Sequence, residues 1–501
     1  MKTAIPIFLL ALTAAALAAG PATAPLTFSP ADSPKPPFTL AKDTTVLTSP
    51  LNADGTVDYL AALNRRFYVK PQDNAFATWI DLLPPTQLAG DIGQSVDWMT
   101  GHGYPDARKS WEPIETFLKR TEHLSDDAAE AAFENLNTAA KRPWKPADFP
   151  YVDEFLAARK DSLDLAVAAS QMPAWWAPTI STNQRTVSAV VIIGLSSVRE
   201  ISRALAARAT LRAASGNFNG FLSDVAAIKR LAAMQSRQFV IGEIVALGLD
   251  MQADQAITAA AASGQWSAHQ CSQVAALLAQ FPPPAHMPEL FDLFERYNDL
   301  DAVAVTATGN ARLLTGPDGD TGADCLLNID PAQVDWDTVL RAVNGSVDEQ
   351  VRILRIADPA ALHAAADARE KRVEKNSPAG EQLPAWLILR KKVTESREQY
   401  TARVAAAFEN IFCDQSLANF ADAERRGIIC DQLTQLLTAA ARFHARTGHW
   451  PADAGALVPN DLPAIPRDFV NQPFTLRLAP NGPSASAAIA DNRTLQLGAP
   501  P

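Results

Sequence analysis

The chain has few of the residues and motifs from which common enzyme sites are built. Among its 501 residues only seven are histidine and four are cysteine. It contains no G-x-S-x-G, no H-E-x-x-H, no glycine-rich phosphate loop and no dinucleotide fingerprint. The signatures of serine hydrolases, zinc proteases and nucleotide-binding enzymes are therefore missing. We predict no catalytic, cofactor-binding or metal-binding residues, and no cofactor.

Clustered positive charge is also scarce. Lysine and arginine total 44 against 55 aspartate and glutamate residues, which gives a formal net charge of -11. Nucleic-acid binding depends on basic side chains that neutralise phosphates, usually grouped on one surface. We therefore expect no nucleic-acid partner.

An apolar stretch suited to export stands at the start of the chain. Lys2 is followed by "TAIPIFLLALTAAALAA", and residues 16–18 offer an A-x-A cleavage site. A positive charge, an apolar core and small residues in this order are typical of a secretory signal peptide. We predict a signal peptide over residues 1–18 and a mature protein in the periplasm or outside the cell. An uncleaved membrane anchor is the alternative, and after signal removal we expect no membrane span.

The predicted location bears on the oxidation state of the four cysteines. An even number of cysteines in an oxidising compartment indicates two disulfides. Nearness in sequence favours the pairs Cys413–Cys430 and Cys271–Cys325. Buried free thiols are the alternative.

Composition divides the remaining chain into segments. Proline is dense in residues 19–50 and excludes helix there. Beyond residue 56 apolar residues recur at helical spacing, with long alanine-rich stretches at about 181–214, 238–262, 380–411 and 418–447. We expect a flexible leader over 19–50, a helical domain of stacked hairpins over 51–310, an acidic glycine-rich loop over 311–329, a second helical part over 330–450 and a proline-punctuated lid over 451–501.

Local signals mark several helix ends. Ser125 and Asp358 stand where helix caps are expected. "AASGNF" (213–218) recurs as "AASGQW" (261–266), and each glycine suits a left-handed helix stop between two helices. In the lid, apolar and polar residues alternate over 472–480 and over 492–500, which predicts the two strands of a short hairpin. The predicted fold class is mainly α, with antiparallel helical hairpins in a bundle or irregular solenoid and a small extended or β-hairpin tail.

In two loops the acidic residues are spaced much as they are in calcium-binding loops. In "NADGTVDY" (52–59) the first and twelfth positions of a calcium loop fall on Pro50 and Ala61, which offer no carboxylate. We therefore interpret this stretch as a turn followed by a helix that Thr56 caps. In "TGPDGDTGADC" (315–325) three aspartates, at positions 318, 320 and 324, stand near one another, but glycine and proline favour a solvated surface loop.

One aromatic pair is a candidate binding feature. Trp175 and Trp176 lie in "MPAWWAP", between prolines and between predicted helices. They would serve as a stacking platform for a sugar or a peptide. The structural alternative is that both side chains pack onto the core, as such loops more often do.

Three strings carry a resemblance to a known family: "DGTVDYLAALNRR", "RPWKPADFPYVDEFLAARKDSLDLAVAAS" and "LLTAAARFHARTGHWPADAGALVPNDLPAIPRDFVNQPFTLRL". Over most of residues 52–480 the chain resembles a family of uncharacterised exported bacterial proteins that are helical and rich in Ala and Leu. The resemblance implies export and a helical fold, and it implies no catalytic residue.

The end of the chain is also weakly similar to the globular end of type II secretion pseudopilins. The matching positions are Gly448, Trp450, Pro451, Leu457, Pro459, Pro466 and Asp468. Phe443, Ala454 and Phe469 depart from the pseudopilin pattern, and the methylated N-terminal helix is missing. The similarity therefore does not imply membership of a filament.

Two classes of function remain. We favour an exported, non-enzymatic helical protein that binds a partner or serves envelope architecture, with an envelope protein or polysaccharide as partner. It predicts an exposed apolar or aromatic groove lined by helix faces. The alternative is an exported hydrolase whose carboxylates converge only in the fold, which predicts a deep pocket with two or more acidic groups of raised pKa. Nothing in the sequence ranks the acidic residues, such as Glu115, Glu154, Glu289 and Glu295, or indicates the oligomeric state.

Overall fold

The computed structural model describes residues 35–88, 91–101, 110–315, 323–376, 389–412, 416–479, 482–490 and 493–498. The predicted signal peptide, the first part of the leader, Cys413 and the carboxylates of the acidic loop lie outside this description.

Helices dominate the described residues. The first nine are α1 Tyr59–Phe67, α2 Ala75–Trp79, α3 Asp91–Thr100, α4 Ile114–Thr121, α5 Asp126–Ala139, α6 Pro150–Ala158, α7 Lys160–Ser170, α8 Leu195–Ala214 and α9 Phe218–Gln235. They are followed by α10 Val240–Ala261, α11 Ala268–Gln280, α12 Met287–Leu290, α13 Arg296–Ala307, α14 Trp336–Leu354, α15 Pro359–Asn376, α16 Arg397–Phe412 and α17 Leu417–Thr447. None of these helices combines the length and the apolarity that a bilayer crossing requires.

The two echoed segments form turns between consecutive helices, of which α8 and α9 pack against each other. Gly216 and Gly264 have φ of 75° and 67°, and they separate α8 from α9 and α10 from α11. The aromatic that follows each glycine is buried, and the rings of Phe218 and Trp266 pack edge to face with centroids 5.7 Å apart. The two turns therefore lie side by side at one end of the helix stack.

The two predicted helical parts share one core. Tyr59 and Leu300 from the first part pack in the same apolar cluster as Val343 and Tyr400 from the second. The long helix α17 lies against α10 and α11 of the first part. Within the predicted acidic loop at 311–329, Leu314 and Leu326 are buried in that cluster, so the described parts of this segment are not a solvated loop.

The flexible leader does not extend to residue 50. Thr39 donates to both carboxylate oxygens of Asp337 on α14, with its backbone N–H at 2.6 Å and its hydroxyl at 2.8 Å. Phe38 is buried, and Asn344 donates to the Thr44 carbonyl at 2.6 Å. Proline disfavours helix in this segment. Its threonine hydroxyls and backbone groups form hydrogen bonds with polar side chains of α14, so residues 38–46 pack against that helix.

Two predicted helices begin later than expected. Residues 181–194 form no α-helix: β1 (Ile180–Ser181) and β2 (Val190–Val191) form an antiparallel pair, with one 3-10 turn at Val187–Ala189 between them. Gly194, with φ of 81°, then precedes α8. In the stretch at 380–411, residues 389–396 are turns and α16 starts at Arg397.

The predicted C-terminal hairpin is wrong in its pairing. The strands β3 (Thr475–Ala479) and β5 (Arg493–Gly498) each pair with β4 (Gly482–Ala490), which lies between them in an antiparallel sheet. The sequence of β4 is "GPSASAAIA", which lacks the β-branched and aromatic residues that mark most strands. Its Ala485 and Ala487 pack in a cluster with Leu433 and Leu437 of α17. The fold class, mainly α with a small β tail, is confirmed.

The lid is held against α17 by a buried carboxylate. Gly448, with φ of 81°, ends α17. Trp450 then stacks on His444, with ring centroids 4.3 Å apart. The carboxylate of Asp461 accepts from Arg442 Nε at 3.1 Å and from Arg446 Nη2 at 2.7 Å.

Candidate functional site

The tryptophan pair is engaged with the protein itself. Trp176 is 3% exposed, and its ring meets Tyr68 edge-on with centroids 5.1 Å apart. Trp175 is half-buried and meets both Phe76 and Trp79 edge-on, each at 5.5 Å. These are the contacts of core side chains, which matches the structural alternative for this loop.

The calcium-like stretch is tied to the fold through an arginine. Asp54 accepts from the backbone N–H and the hydroxyl of Thr56. Arg185 lies 3.4 Å from Asp54 and 2.9 Å from the buried Asp301. The cap of α1 is Asp58, which accepts from the N–H of Ala61, so the expected cap at Thr56 is wrong. Thr56 faces Arg185 instead, at 2.7 Å.

The predicted disulfides are not formed. Cys271 and Cys430 are both buried free thiols, so neither Cys271–Cys325 nor Cys413–Cys430 is bonded. Cys271 belongs to the cluster under the two glycine turns, whereas Cys325 belongs to the cluster shared by α13 and α14. For Cys271 and Cys325, nearness in sequence did not become nearness in space, because they pack in different apolar clusters. Burial raises the pKa of Cys271 to about 11, which makes it unreactive.

A buried ionic cluster lies where α9, α10 and α17 meet. Lys229 Nζ lies 2.9 Å from Asp250, 2.7 Å from Asp254 and 3.4 Å from Asp431. The side chains are between 0% and 5% exposed. The three carboxylates are close enough to hold a metal ion, since their ligand atoms lie within 4.8 Å of one another. The Lys229 ammonium already contacts all three and takes the position that a cation would occupy.

One ammonium cannot balance three buried carboxylates. Burial opposes the charged form of Lys229, but the aspartates outweigh burial and raise its pKa. Burial raises the pKa of Asp250, Asp254 and Asp431, most of all that of the fully buried Asp254. The cluster therefore retains protons that isolated aspartates would lose. Charged residues inside the apolar stretch 240–261 were the sequence signal for it, and our sequence analysis missed them.

A second acidic pair caps a helix. Glu243 accepts from the backbone N–H of His286 at 2.9 Å, and Glu424 accepts from that of Met287 at 2.7 Å. Burial, opposed by the His286 hydrogen bond and aided by Glu424, raises the pKa of Glu243 to about 8. Glu243 is fully buried, so this pair stabilises the start of α12 rather than meeting a ligand.

The best candidate for ligand binding is a cleft of about 400 Å³ between α4, α5, α6 and α8. We call it the α4–α8 cleft. Its apolar floor is at most 3% exposed and consists of Trp111, Ile114, Leu136 and Phe155. Its more accessible walls carry Phe133 and four charged side chains, namely Glu115, Arg199, Glu200 and Arg203.

The helical repeat places three of these charges on one face of α8. Arg203 follows Arg199 by four residues and Glu200 by three, spacings that make helical side chains neighbours. Glu115 comes from the first turn of α4, where the helix dipole favours a negative charge. Trp111 Nε1 donates to Glu200 at 2.9 Å. The Arg203 guanidinium lies over the Phe133 ring, 4.6 Å from its centroid.

The electrostatics of the cleft are unusual for a surface. Burial raises the pKa of Glu200; the hydrogen bond from Trp111 opposes this and the neighbouring Glu115 adds to it. Burial, followed by repulsion from Arg199, lowers the pKa of Arg203. Each pKa shift means that the contacts within the protein do not fully offset the desolvation of the charged form of that group.

Among the residues that the structure describes, none of the four cleft charges takes part in an ion pair. The adjacent Glu112 differs, because it pairs with Arg120 at 2.8 Å and also with Arg159. Charges that hold this region together are therefore paired, and those that line the cleft are available to a ligand. Glu115 lines the cleft, whereas Glu154, Glu289 and Glu295 are not among its lining residues.

Comparisons with family models, with curated proteins and with solved structures found no match to this chain. The resemblance to exported helical proteins and to pseudopilins therefore stays a prediction. Assignment of a function rests on the geometry of the α4–α8 cleft.

Proposed function

We propose that this is an exported, non-enzymatic helical protein that binds an envelope-derived ligand in the α4–α8 cleft. The observation that carries the proposal is the set of four unpaired charged side chains above an apolar floor. Binding sites commonly combine an apolar surface with a few convergent polar groups. The predicted signal peptide supports export. The partner we expect is an envelope protein or polysaccharide, and one chemical group of that partner would bind in the cleft.

Burial of charge without a partner supports a ligand at this position. Arg203 is half-buried and forms no ion pair with a described residue; Glu200 and Glu115 attract it only from beyond ion-pair distance, and burial still lowers its pKa. A ligand that supplies the missing partner offsets the cost of this burial. The cleft is therefore better suited to an occupied than to an empty state.

An exported hydrolase is the second candidate. Glu115 and Glu200 line the same cleft, and the raised pKa of Glu200 suits a general acid. Two carboxyl groups in different environments are the arrangement that glycosidases use. Incubation of the mature protein with envelope polysaccharides and peptides tests this role: turnover that Glu200→Gln abolishes would establish it, and absence of turnover would argue for binding alone.

The binding proposal is tested by filling the cleft. Thr116 is exposed on α4 and lines the cleft, so Thr116→Trp obstructs it without entering the core. Arg426→Trp on the exposed face of α17 is the matched control. We expect the mature protein and the control to retain components of a solubilised envelope fraction that Thr116→Trp does not retain. Equal retention by both variants would overturn the proposal.

A further inference from the structure

We infer that the α4–α8 cleft binds a zwitterionic ligand with an apolar side chain, of the amino-acid or short-peptide class. Its carboxylate would lie at Arg199 and Arg203, its ammonium at Glu115 and Glu200, and its side chain on the floor. This inference rests on the proposed function and adds the chemistry of the group that the cleft receives.

The cationic side of the cleft fits a carboxylate. Arg199 and Arg203 are four residues apart on α8, so their side chains project from the same face. The Arg203 guanidinium carbon lies over the Phe133 ring, and no described residue accepts a hydrogen bond from its N–H groups. A guanidinium with free N–H groups binds a carboxylate through two parallel hydrogen bonds.

The anionic side requires a positive charge in the same ligand. Glu115 and Glu200 line the cleft together with the two arginines, and no described residue forms an ion pair with either carboxyl group. With two formal charges of each sign, the cleft is neutral overall. A ligand that carries only a carboxylate would meet repulsion from the glutamates, and one that carries only an ammonium would leave the arginines without a partner.

The size of the cleft indicates a small ligand. A volume of about 400 Å³ lies at the lower end of the range of roughly 300–1,000 Å³ for small-molecule sites. Such a space accepts an amino acid or the terminal residues of a peptide, whereas an extended polysaccharide would need a longer groove. The floor of Trp111, Leu136 and Phe155 is suited to an aliphatic or aromatic side chain.

Four forms of one dipeptide distinguish the contribution of the ligand's ammonium from that of its carboxylate. Isothermal titration calorimetry of the mature protein would use leucyl-leucine, its N-acetyl derivative, its amide and the doubly blocked form. We expect leucyl-leucine to bind at least about tenfold more tightly than each form that lacks one charge, since a charge-assisted hydrogen bond contributes that much. Equal binding of the N-acetyl derivative and leucyl-leucine would overturn the zwitterionic class.

Charge-neutral variants assign each end of the ligand. In Arg203→Gln, the preference for leucyl-leucine over its amide should shrink, because one of the two carboxylate partners is gone, and in Arg199→Gln/Arg203→Gln it should disappear. In Glu115→Gln, the preference for leucyl-leucine over its N-acetyl derivative should shrink, and in Glu115→Gln/Glu200→Gln it should disappear. Arg426→Gln, outside the cleft, should leave every preference unchanged. Circular dichroism verifies that each variant is folded.

The two proposals fail in different ways. If none of the four dipeptide forms binds while Thr116→Trp still abolishes retention of an envelope component, the zwitterionic class is wrong and the cleft remains a binding site. If dipeptides bind but Thr116→Trp leaves their affinity unchanged, the site assigned to them is wrong.

Discussion

The ammonium of Lys229 lies 2.7 Å from a carboxylate oxygen of Asp254, and both side chains are fully buried. One positive charge here faces three carboxylates, contributed by α10 and α17. Such a cluster costs desolvation free energy and is tolerated only while its members compensate one another. It joins helices from both predicted halves of the chain, so it fixes how α9, α10 and α17 meet.

Removal of the ammonium should be strongly destabilising. We expect Lys229→Met to lower the free energy of unfolding by about 3–5 kcal/mol at neutral pH, because the carboxylates are left without a buried counter-ion. Lys160, 70% exposed in its pair with Asp164, offers the control, and Lys160→Met should cost far less than Lys229→Met. Urea denaturation followed by circular dichroism measures both. Equal losses would show that the cluster does not depend on its lysine.

Stability should fall as the pH rises through the pKa of Glu243, which burial raises to about 8. The protonated form is favoured by the folded state, so the stability that it contributes is complete below about pH 4 and is lost as the pH rises to 8. The slope is about 1.4 kcal/mol per pH unit for one proton. Glu243→Gln mimics the protonated group, and its stability relative to the wild type should improve steadily between pH 5 and about 8.

The control is Glu130→Gln, at an exposed acid on α5. We expect only a small effect on stability from it. A Glu243→Gln difference that does not change with pH would show that Glu243 is ionised in the folded protein.

The thiols should need no reductant to react once the protein is unfolded. We expect iodoacetamide in guanidinium chloride to alkylate Cys271 and Cys430 completely without dithiothreitol, because both are free. In the folded protein the same residues should stay unmodified, since both are fully buried. Peptide mass spectrometry determines the modified positions. Alkylation that requires prior reduction would restore the disulfide prediction.

The lid should loosen when its buried carboxylate loses its charge. Asp461 is 2% exposed and pairs with Arg442 and Arg446, so Asp461→Asn removes two charge-assisted contacts. We expect a loss of about 1–3 kcal/mol and faster proteolysis after Arg467. Asp453→Asn is the control, since the exposed Asp453 only caps a short helix and asparagine caps equally well. Unchanged proteolysis of both variants would mean that other contacts hold the lid.

Local signals predicted the helix ends well. Ser125 accepts from the N–H of Ala128 and Asp358 from that of Ala361, as their positions before helices indicated. Gly216 and Gly264 end helices in the left-handed conformation. These choices depend on atoms within a few residues, so the chain determines them wherever it lies in the fold.

Features that depend on distant partners were missed. The strand β4 has weak local preference and is stabilised because α17 offers an apolar surface for Ala485 and Ala487. Glu115 was one acid among many until the fold placed it beside Arg203 and Glu200. Neither arginine nor glutamate carries a motif that would have separated the cleft charges from ordinary surface charges.

The sequence by itself determined the helical class, the turns at two glycines and the absence of common catalytic motifs, because periodicity, backbone sterics and capping act over short range. Only the tertiary structure decided which charges are paired. It buried Lys229 among three aspartates, left two cysteines as free thiols and gathered unpaired charges above an apolar floor. Coulombic and desolvation energies depend on separation in space, which spacing along helices does not specify.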